Sequence, residues 1–226
     1  MSQKQDDIKI VTTQDGSHSL FSQQFGEQYH SKYGAILESR HVFIEAGLFY
    51  KFSSSDEVNV LEIGFGSGLN AFLSYLESVN RPKKIYYETM EAFPVSEPDA
   101  LKLNYPEQLM AEDHASIFQQ MHRLPWDAVH QLSPNFHFKK VLKKFEELKE
   151  SARFDVVYFD AFAPGTQPEL WENSMLSLVY EAMRPKGVLV TYSAKGSVKR
   201  NLKSLGFQVE NIPGPPGKRE MIRAIK

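Results

Sequence analysis

An apolar run, a group of closely spaced glycines and an amphipathic segment follow one another near residue 60, and together they restrict the fold more than any other feature. The run Val58–Ile63 is typical of a buried parallel strand, and residues 69–76 are typical of the helix that follows one. Glycine permits a sharp turn and leaves room for a ligand beside the backbone. Unpaired N–H groups at the start of the next helix favour an anionic group. The segment predicts a cofactor-binding loop, with a plain strand-to-helix turn as the alternative.

The spacing of the glycines distinguishes between cofactors. A dinucleotide fingerprint reads G-x-G-x-x-G, and its third glycine would fall at position 69, which is leucine. A pocket for S-adenosylmethionine (SAM) fits this segment better, because an acidic residue stands two positions before the first glycine and Leu69-Asn70 follows the last. The predicted SAM-binding residues of this segment are Glu62, Gly64, Phe65, Gly66, Ser67, Gly68 and Asn70.

Composition limits the chemistry that the chain can perform. Its 226 residues suffice for one large α/β domain with or without a small appendage. The absence of cysteine excludes disulfides, thiolate catalysis and zinc–cysteine sites. The seven histidines show no metal-ligand spacing, so no metal site is predicted. The start of the chain has no secretory pattern, and no apolar run approaches the roughly 18 residues of a spanning helix, so we expect a cytoplasmic protein without a membrane partner.

Charge is distributed unevenly along the chain. The whole sequence has a net charge of −2, whereas residues 184–226 carry ten basic and two acidic residues, a local net charge of +8. Such an excess favours an anionic partner, although solvated surface lysines explain it equally well.

The remaining hydrophobic pattern predicts alternating strands and helices. Strands are expected at 85–90, 135–138, 154–160, 188–193, 207–212 and 219–225, with two short strands around Asp15-Gly16. Helices are expected at 29–52, 100–103, 114–121, 139–149 and 197–205, and one more opens at 168–171 and ends at 183–187. This order predicts an α/β fold with a doubly wound, mostly parallel seven-stranded sheet that ends in a C-terminal antiparallel hairpin.

Polar residues are expected at the same edge of this sheet as the glycine loop. Glu91 follows the second strand, where an acidic side chain can bind both ribose hydroxyls of an adenosine. We prefer it to Glu88 because the strand should continue towards Pro94. Asp160 follows the fourth strand and Ser193 the fifth. Since ligands of doubly wound sheets bind at the carboxyl ends of the strands, these residues and the loop predict one site.

The turn after the fourth strand indicates the reaction. We find no nucleophile elbow and no phosphate-binding lysine loop. The turn Asp160-Ala161-Phe162-Ala163-Pro164 resembles in chemistry the Asp/Asn-Pro-Pro-aromatic turn of methyltransferases that act on exocyclic amines. In those enzymes the acidic or amide side chain accepts a hydrogen bond from the amine and the aromatic ring holds the base. Asp160 and Phe162 are therefore the predicted catalytic residues, with Asp160 as general base.

Segments from one end of the chain to the other extend this resemblance. They are Asp15-Gly16-Ser17-His18, His41-Val42-Phe43-Ile44-Glu45, residues 61–70, Asp160–Pro164 with Pro168-Glu169-Leu170-Trp171, and Lys218-Arg219-Glu220-Met221. Together they resemble the MnmC-type tRNA wobble-uridine methyltransferases, in the stand-alone form often called MnmD.

The resemblance implies a substrate and a domain arrangement. It implies methyl transfer from SAM to the aminomethyl nitrogen of 5-aminomethyl-2-thiouridine in the tRNA anticodon loop. In two-domain relatives an FAD-dependent oxidase follows; this chain ends before such a domain, so a separate oxidase or other upstream modification enzymes would be its partners. We expect residues 1–55 to form an accessory segment that roofs the site, and residues 56–226 to form the SAM-dependent methyltransferase domain.

Candidate substrate contacts follow from the single-stranded target. A splayed base can stack on aromatic rings, for which Tyr29, Tyr33, Phe162 and Tyr192 are candidates. The remaining predicted contacts are polar or basic residues that would hold the nucleotide and its phosphates: Ser193, Lys199, Arg200, Lys218 and Arg219.

One departure from the family pattern concerns the adenine. Methyltransferases of this type place an acidic residue after the third strand, where it meets the adenine amine, and Lys139-Lys140 occupies the predicted position. Two other functions stay open at this point: methylation of a small-molecule amine, and a non-catalytic SAM- or tRNA-binding module. The basic C-terminal region argues against the first alternative, and the presence of Asp160 against the second.

Overall fold

The computed structural model describes residues 8–226, which contain an eight-stranded sheet and a separate three-stranded sheet. The strands are β1 (Ile8–Thr12), β2 (His18–Ser22), β3 (Glu27–Gln28), β4 (Glu57–Ile63), β5 (Lys84–Glu91), β6 (Val129–Ser133), β7 (Phe136–Leu142), β8 (Phe154–Phe159), β9 (Met183–Thr191), β10 (Gln208–Pro213) and β11 (Glu220–Ile225). The small sheet has the order β1-β2-β3, and its first two strands pair around the predicted Asp15-Gly16 turn.

The helices cover both faces of the large sheet. They are α1 (Ala35–Ser39, Arg40–Phe49 and Tyr50–Phe52, continuous, with a π-helical middle), α2 (Leu69–Asn80), α3 (Glu97–Ala100), α4 (Tyr105–Gln108), α5 (Ala115–Arg123), α6 (Asn173–Ala182) and α7 (Gly196–Ser204). Short 3-10 turns occupy Glu112–His114, Phe145–Glu147 and Pro168–Trp171. None of the helices within residues 8–226 is both long and apolar enough to cross a membrane.

The large sheet has the predicted doubly wound architecture. Its strand order is β10-β11-β9-β8-β4-β5-β7-β6. The central pairs are parallel, and β10 and β11 form the antiparallel hairpin expected at the C-terminal end. The sheet has one strand more than the seven predicted, because β6 pairs antiparallel with β7 at the edge. A short, half-exposed polar strand such as β6 carries little hydrophobic alternation, so its sequence did not reveal it.

The third parallel strand differs from its prediction. Residues 139–149 do not form a helix; β7 runs through Phe136–Leu142, and Phe145–Glu147 is a single 3-10 turn. The lysine-rich sequence suggested a solvent-exposed helix, whereas the Lys140 side chain lies inside the protein and donates a hydrogen bond from its Nζ to the His122 carbonyl oxygen at 2.7 Å. The residues that follow the strand are therefore 143–146.

Alternating side chains of the central strands divide the core into two layers. Val58 and Val60 of β4 pack on the side of α1 and α2, whereas Leu61 and Ile63 pack on the side of α6 and α7. Helix α1 starts at Ala35, later than the predicted 29, because β3 precedes it. The two layers bury every central strand on both faces, so the loops at the carboxyl ends of the strands carry the accessible polar groups.

Candidate functional site

The main cavity of the structure opens at the carboxyl edge of the large sheet and has a volume of about 650 Å³. Its walls come from the glycine loop after β4, the end of β5, the loop after β7 and the turn after β8. Residues 25–32, next to the small sheet, and Lys218, in the hairpin turn, close the remaining sides. The expected convergence of sequence-distant polar residues at this edge is therefore present.

The glycine loop lies against two other walls of the cavity. Gly64 and Gly66 have positive φ angles of 94° and 49°. A Cβ on Gly64 would stand 2.9 Å from the Asp160 carbonyl oxygen, and a Cβ on Gly66 would stand 3.0 Å from the Tyr29 ring. A side chain at either position would push the loop away from its neighbours, so only glycine permits this shape of the cavity.

Glu91 lies at the end of β5, where the sequence placed it, and it faces the loop. Its Oε2 accepts a hydrogen bond from the Gly66 backbone N–H at 3.1 Å, and its Oε1 accepts one from the Phe93 N–H at 2.8 Å. Glu88, the alternative, points elsewhere and pairs with Arg153 at 2.7 Å. The Glu91 carboxylate is thus held beside the loop at the edge of the cavity.

Asp160 lines the cavity and is half-buried. The Asn70 side-chain Nδ2 donates a hydrogen bond to Asp160 Oδ2 at 2.8 Å. Burial raises the pKa of Asp160 from 3.8 to about 7, and the negative charge of Glu38 adds to the increase. The Asn70 hydrogen bond and the positive charge of Lys218 lower the pKa in part. A carboxyl group that titrates near neutral pH can exchange protons with a substrate under working conditions.

Glu62 lies behind the loop and does not line the cavity. It is 1% exposed, and burial raises its pKa well above the ordinary range. Thr89, Tyr87 and Asn70 surround it and partly offset this effect on its pKa. Glu62 Oε2 itself is buried without a hydrogen-bond partner within residues 8–226. Burial therefore favours the protonated form of Glu62 beneath the loop.

The polar groups of the cavity fit the cofactor predicted from the sequence. Asn70 lines the cavity, and its buried Oδ1 has no hydrogen-bond partner in the described part of the chain. A buried acceptor of this kind is costly unless a ligand or solvent donor meets it. The ammonium group of SAM is such a donor, and the ribose hydroxyls of SAM are suitable donors for Glu91.

Aromatic rings surround the mouth of the cavity. The Phe162 ring lies 4.8 Å from that of Phe25 and 5.1 Å from that of Tyr29, and Phe93 lies 6.3 Å from Phe25, all between ring centroids. Phe93 is 44% exposed. The Trp171 indole N–H donates to the Phe162 carbonyl oxygen at 2.9 Å and fixes the turn. The sequence did not indicate Phe25 or Phe93, because neither belongs to a regular pattern.

The other predicted substrate residues are divided between several places. Tyr33 lies outside the cavity and covers Gly217. Ser193 and Arg219 line a second, open groove that also includes Lys195 and shares Ala163, Tyr192 and Lys218 with the cavity. Arg200 is exposed on α7. Lys199 pairs with Glu220 at 3.1 Å, and Lys218 pairs with Glu38 at 2.7 Å.

Because β7 extends to Leu142, the loop after the third strand begins later than predicted, and so does the place where an acidic residue is expected. The loop that lines the cavity is Lys143–Glu146, not Lys139-Lys140, and Glu146 supplies a carboxylate there. An acidic residue thus lines the cavity four positions beyond the end of the strand. Glu38 is a second acidic residue of the cavity that the sequence did not indicate, because it lies in a helix dominated by apolar and aromatic residues.

The pKa of Asp160 predicts how its replacement changes stability. Well below its ordinary pKa of 3.8, the carboxyl group is protonated in the folded and unfolded states alike. As the pH rises towards 7, only the unfolded state releases the proton easily, so the folded state loses stability. Asp160→Asn removes this loss, and the variant should gain free energy of unfolding relative to wild type at pH 8 and gain less at pH 5. Urea unfolding at both pH values measures this, and an equal difference at both would contradict the assignment.

A family model for S-adenosyl-L-methionine-dependent methyltransferases matches residues 103–226 of the chain. A Delftia acidovorans protein named tRNA 5-methylaminomethyl-2-thiouridine biosynthesis bifunctional protein MnmC is 32% identical over 91% of this chain and 33% of its own length. A Paracidovorax citrulli protein of the same name is also 32% identical, over 90% of this chain and 33% of its own length. The chain thus spans about a third of the curated relatives that it matches.

Comparison with solved structures points to the same family as these relatives. The crystal structure of MNMC2 from Aquifex aeolicus superposes with a TM-score of 0.77 and 29% identity, over 99% of this chain and 71% of that one. Spermidine synthase from Thermotoga maritima has a TM-score of 0.60 at 14% identity, over 100% of this chain and 70% of that one, which shows a shared fold. The resemblance to MnmC-type methyltransferases is confirmed. Because the family match covers more than half of the chain, the protein belongs to the S-adenosyl-L-methionine-dependent methyltransferases, and SAM is its cofactor.

Proposed function

We propose that this methyltransferase acts on tRNA in the cytoplasm and methylates the aminomethyl nitrogen of 5-aminomethyl-2-thiouridine at the wobble position. The observation that carries the proposal is the position of Asp160 in the SAM cavity, which the rings of Phe162, Phe25 and Tyr29 also line. A carboxylate suits an amine, and an aromatic cluster above it suits a base. The names of the MnmC relatives give the same substrate class.

The cofactor would be held by the walls described above. The backbone of the loop from Gly64 to Gly68 and the Asn70 side chain would contact its methionine part, and Glu91 would accept hydrogen bonds from its ribose hydroxyls. Glu146, which lines the cavity, would accept one from the adenine amine. When bound, SAM supplies a methyl group on a positively charged sulfur. Glu62 would act from behind, by supporting Asn70 and the loop.

Asp160 would prepare the substrate amine for attack. An alkylammonium has no free electron pair, so the amine must lose a proton before it can accept a methyl group. Asp160 can accept that proton, because its pKa of about 7 places the carboxyl group near balance at working pH. The Asn70 amide holds the accepting carboxyl group in one orientation. The carboxylate also orients the nitrogen, which supplies part of the rate enhancement.

The aromatic cluster would hold the flipped base. Anticodon-loop bases are unpaired and can be turned outwards to stack on aromatic side chains. Phe162 and Tyr29 lie inside the cavity mouth, and the more exposed Phe93 lies beside Phe25 at its rim. The inner pair would contact the modified uridine and the outer pair a neighbouring base. Tyr33, on the far side of Gly217, would contribute only beyond the cavity.

The groove next to the cavity would hold the sugar–phosphate chain. Lys195, Arg219 and Ser193 line it, and Arg200 is exposed on the same helix as Lys199. Lys199 and Lys218 already contact carboxylates, so their charges are partly offset. Phosphates would therefore meet Lys195, Arg200 and Arg219 first. Lys195 is an addition to the residues predicted from sequence.

The substrate amine must be produced by an earlier reaction. The MnmC relatives are named bifunctional, and this chain spans about a third of their length. We infer that an FAD-dependent oxidase or another upstream enzyme supplies tRNA with the aminomethyl group. Of the predicted accessory segment 1–55, residues 1–7 lie outside the described residues; residues 8–55 would serve as a roof over the site, since residues 25–32 and Glu38 line the cavity.

Substitution of Asp160 tests its role as general base. Asp160→Ala should lower the rate of methyl transfer to the aminomethyl tRNA by about 100-fold or more, the usual effect of removing such a group. Asp160→Asn keeps a hydrogen-bond acceptor and removes the basicity, so it should be nearly as slow. Single-turnover rates with saturating SAM measure both. A near wild-type rate for Asp160→Asn would mean that Asp160 only orients the amine.

Charge reversal tests the phosphate path. Lys195→Glu and Arg219→Glu should weaken tRNA binding and lower the dependence of log Kd on log salt by about 0.7–0.9 for each phosphate that the variant no longer neutralises. SAM affinity should not change in Lys195→Glu. Lys84→Glu is the matched control, because Lys84 begins β5 at the opposite, amino edge of the sheet. Equal effects of Lys84→Glu and Lys195→Glu would show a nonspecific charge effect and contradict the path.

A further inference from the structure

Two charged residues that lie far apart in the sequence meet inside the SAM cavity. The Lys218 Nζ donates to Glu38 Oε1 at 2.7 Å, across 180 positions of sequence. Glu38 is 8% exposed at its side chain, and its other oxygen, Oε2, accepts a hydrogen bond from the Ser31 backbone N–H at 2.7 Å. Both residues line the cavity. The pair therefore joins the N-terminal segment to the hairpin turn at the site itself.

The contacts of Lys218 continue to the turn that carries Asp160. Its Nζ lies 3.9 Å from the centre of the Tyr192 ring, a cation–π contact. The Tyr192 hydroxyl donates to the Ala161 carbonyl oxygen at 2.8 Å. Ala161 directly follows Asp160 in the chain. Glu38, Lys218 and Tyr192 thus form a continuous support from α1 to the Asp160–Pro164 turn.

Stability alone does not account for this partly buried pair. Removing two charges from water costs about as much as their attraction returns, so apolar residues in the same place would often be as stable. The pair also lies beside the one carboxyl group to which we assign the chemistry. Charges at such a place act on the reaction more strongly than on folding.

We propose that the Glu38–Lys218 ion pair is a positioning element for methyl transfer, which balances the charge around Asp160 and holds the turn that carries it. The proposal rests on the proposed function, because Asp160 is there the general base. It changes the role of Lys218 from a phosphate contact to a residue that acts through Asp160. It also adds Glu38 to the functional residues of the site.

The two partners act on Asp160 in opposite directions. Glu38 raises the pKa of Asp160 and Lys218 lowers it. The other titratable groups around Asp160 are Glu62, Tyr87, Tyr105 and Tyr192. Of these, Tyr192 is also affected by the Glu38 charge and contacts Lys218, and both members of the pair act on the buried His30. Burial lowers the pKa of His30 to about 4 and raises the pKa of Tyr192 well above its ordinary value, so neither group titrates near the pKa of Asp160. Removal of one partner therefore leaves the effect of the other on the pKa of Asp160 unopposed. The direction of the pKa change identifies which partner was removed.

The test is the pH dependence of kcat/KM in single variants of the pair. In Glu38→Gln the acid limb of the profile should move to lower pH, and in Lys218→Met to higher pH, each by about half a pH unit or more. The double variant should return towards the wild-type midpoint. The titration of the substrate amine is common to all variants, so it cancels from the differences. A purely structural defect would lower the rates without moving the midpoints in opposite directions.

Controls separate charge from structure. Glu38→Asp and Lys218→Arg keep the charges and should keep the wild-type midpoint. Glu210→Gln breaks the 2.7 Å pair with Arg223 in the same hairpin, outside the cavity, and should leave the profile unchanged. Midpoint shifts of the same sign in both single variants would overturn the proposal. So would a Lys218→Met variant that only raises the KM for tRNA, which would indicate a phosphate contact.

A second measurement keeps this proposal independent of the substrate. Carboxyl-carbon NMR of the substrate-free protein with labelled aspartate follows Asp160 directly, and the resonance absent from Asp160→Asn assigns it. Opposite shifts of its titration in Glu38→Gln and Lys218→Met support the ion-pair role even if tRNA is not methylated. Unchanged titration in both variants refutes that role even if tRNA is methylated.

Discussion

The hydrogen bond between Asn70 and Asp160 joins the two loops on which the site depends. Asn70 belongs to the first turn of the helix that follows the glycine loop, and Asp160 ends the neighbouring strand. The bond can form because Gly64 brings its backbone against the Asp160 carbonyl group. The glycine loop and the Asp160–Pro164 turn are therefore fixed relative to each other. A carboxylate held in this way is poorly solvated, and this loss of solvation makes it a base at neutral pH.

This arrangement lowers stability in favour of function. Asp160 is held where its charge is unfavourable, and Asn70 Oδ1 and Glu62 Oε2 are buried without hydrogen-bond partners in the described structure. Unsatisfied groups of this kind are rare in protein interiors and cluster at binding sites. The two-layered core around the central strands provides the rigidity that such a site needs. Glu38 of the N-terminal segment adds the ion pair with Lys218, which the sheet could not form by itself.

The sequence predicted those parts of the site that depend on local pattern. The glycine loop, Glu91 and Asp160 each follow an apolar strand, so their positions at one edge could be worked out from the strand order alone. The third strand was predicted to end too early, at 138. It continues because Lys140 is buried by contacts with His122, Phe65 and Trp126, which no local pattern encodes. The Glu38–Lys218 pair and the stacking of Phe25 on Phe162 depend on tertiary contacts between distant segments. The periodicity of the sequence does not predict such contacts.

The central claim is that the cavity selects the aminomethyl nitrogen of a modified wobble uridine in tRNA. The direct measurement incubates the protein with methyl-labelled SAM and two samples of one tRNA, which differ only in the 5-aminomethyl-2-thiouridine at the wobble position. We predict that label enters the modified tRNA, at that nucleotide, and does not enter the unmodified one. Equal labelling of both samples, or methylation of a free small amine while both tRNAs stay unlabelled, would contradict the account.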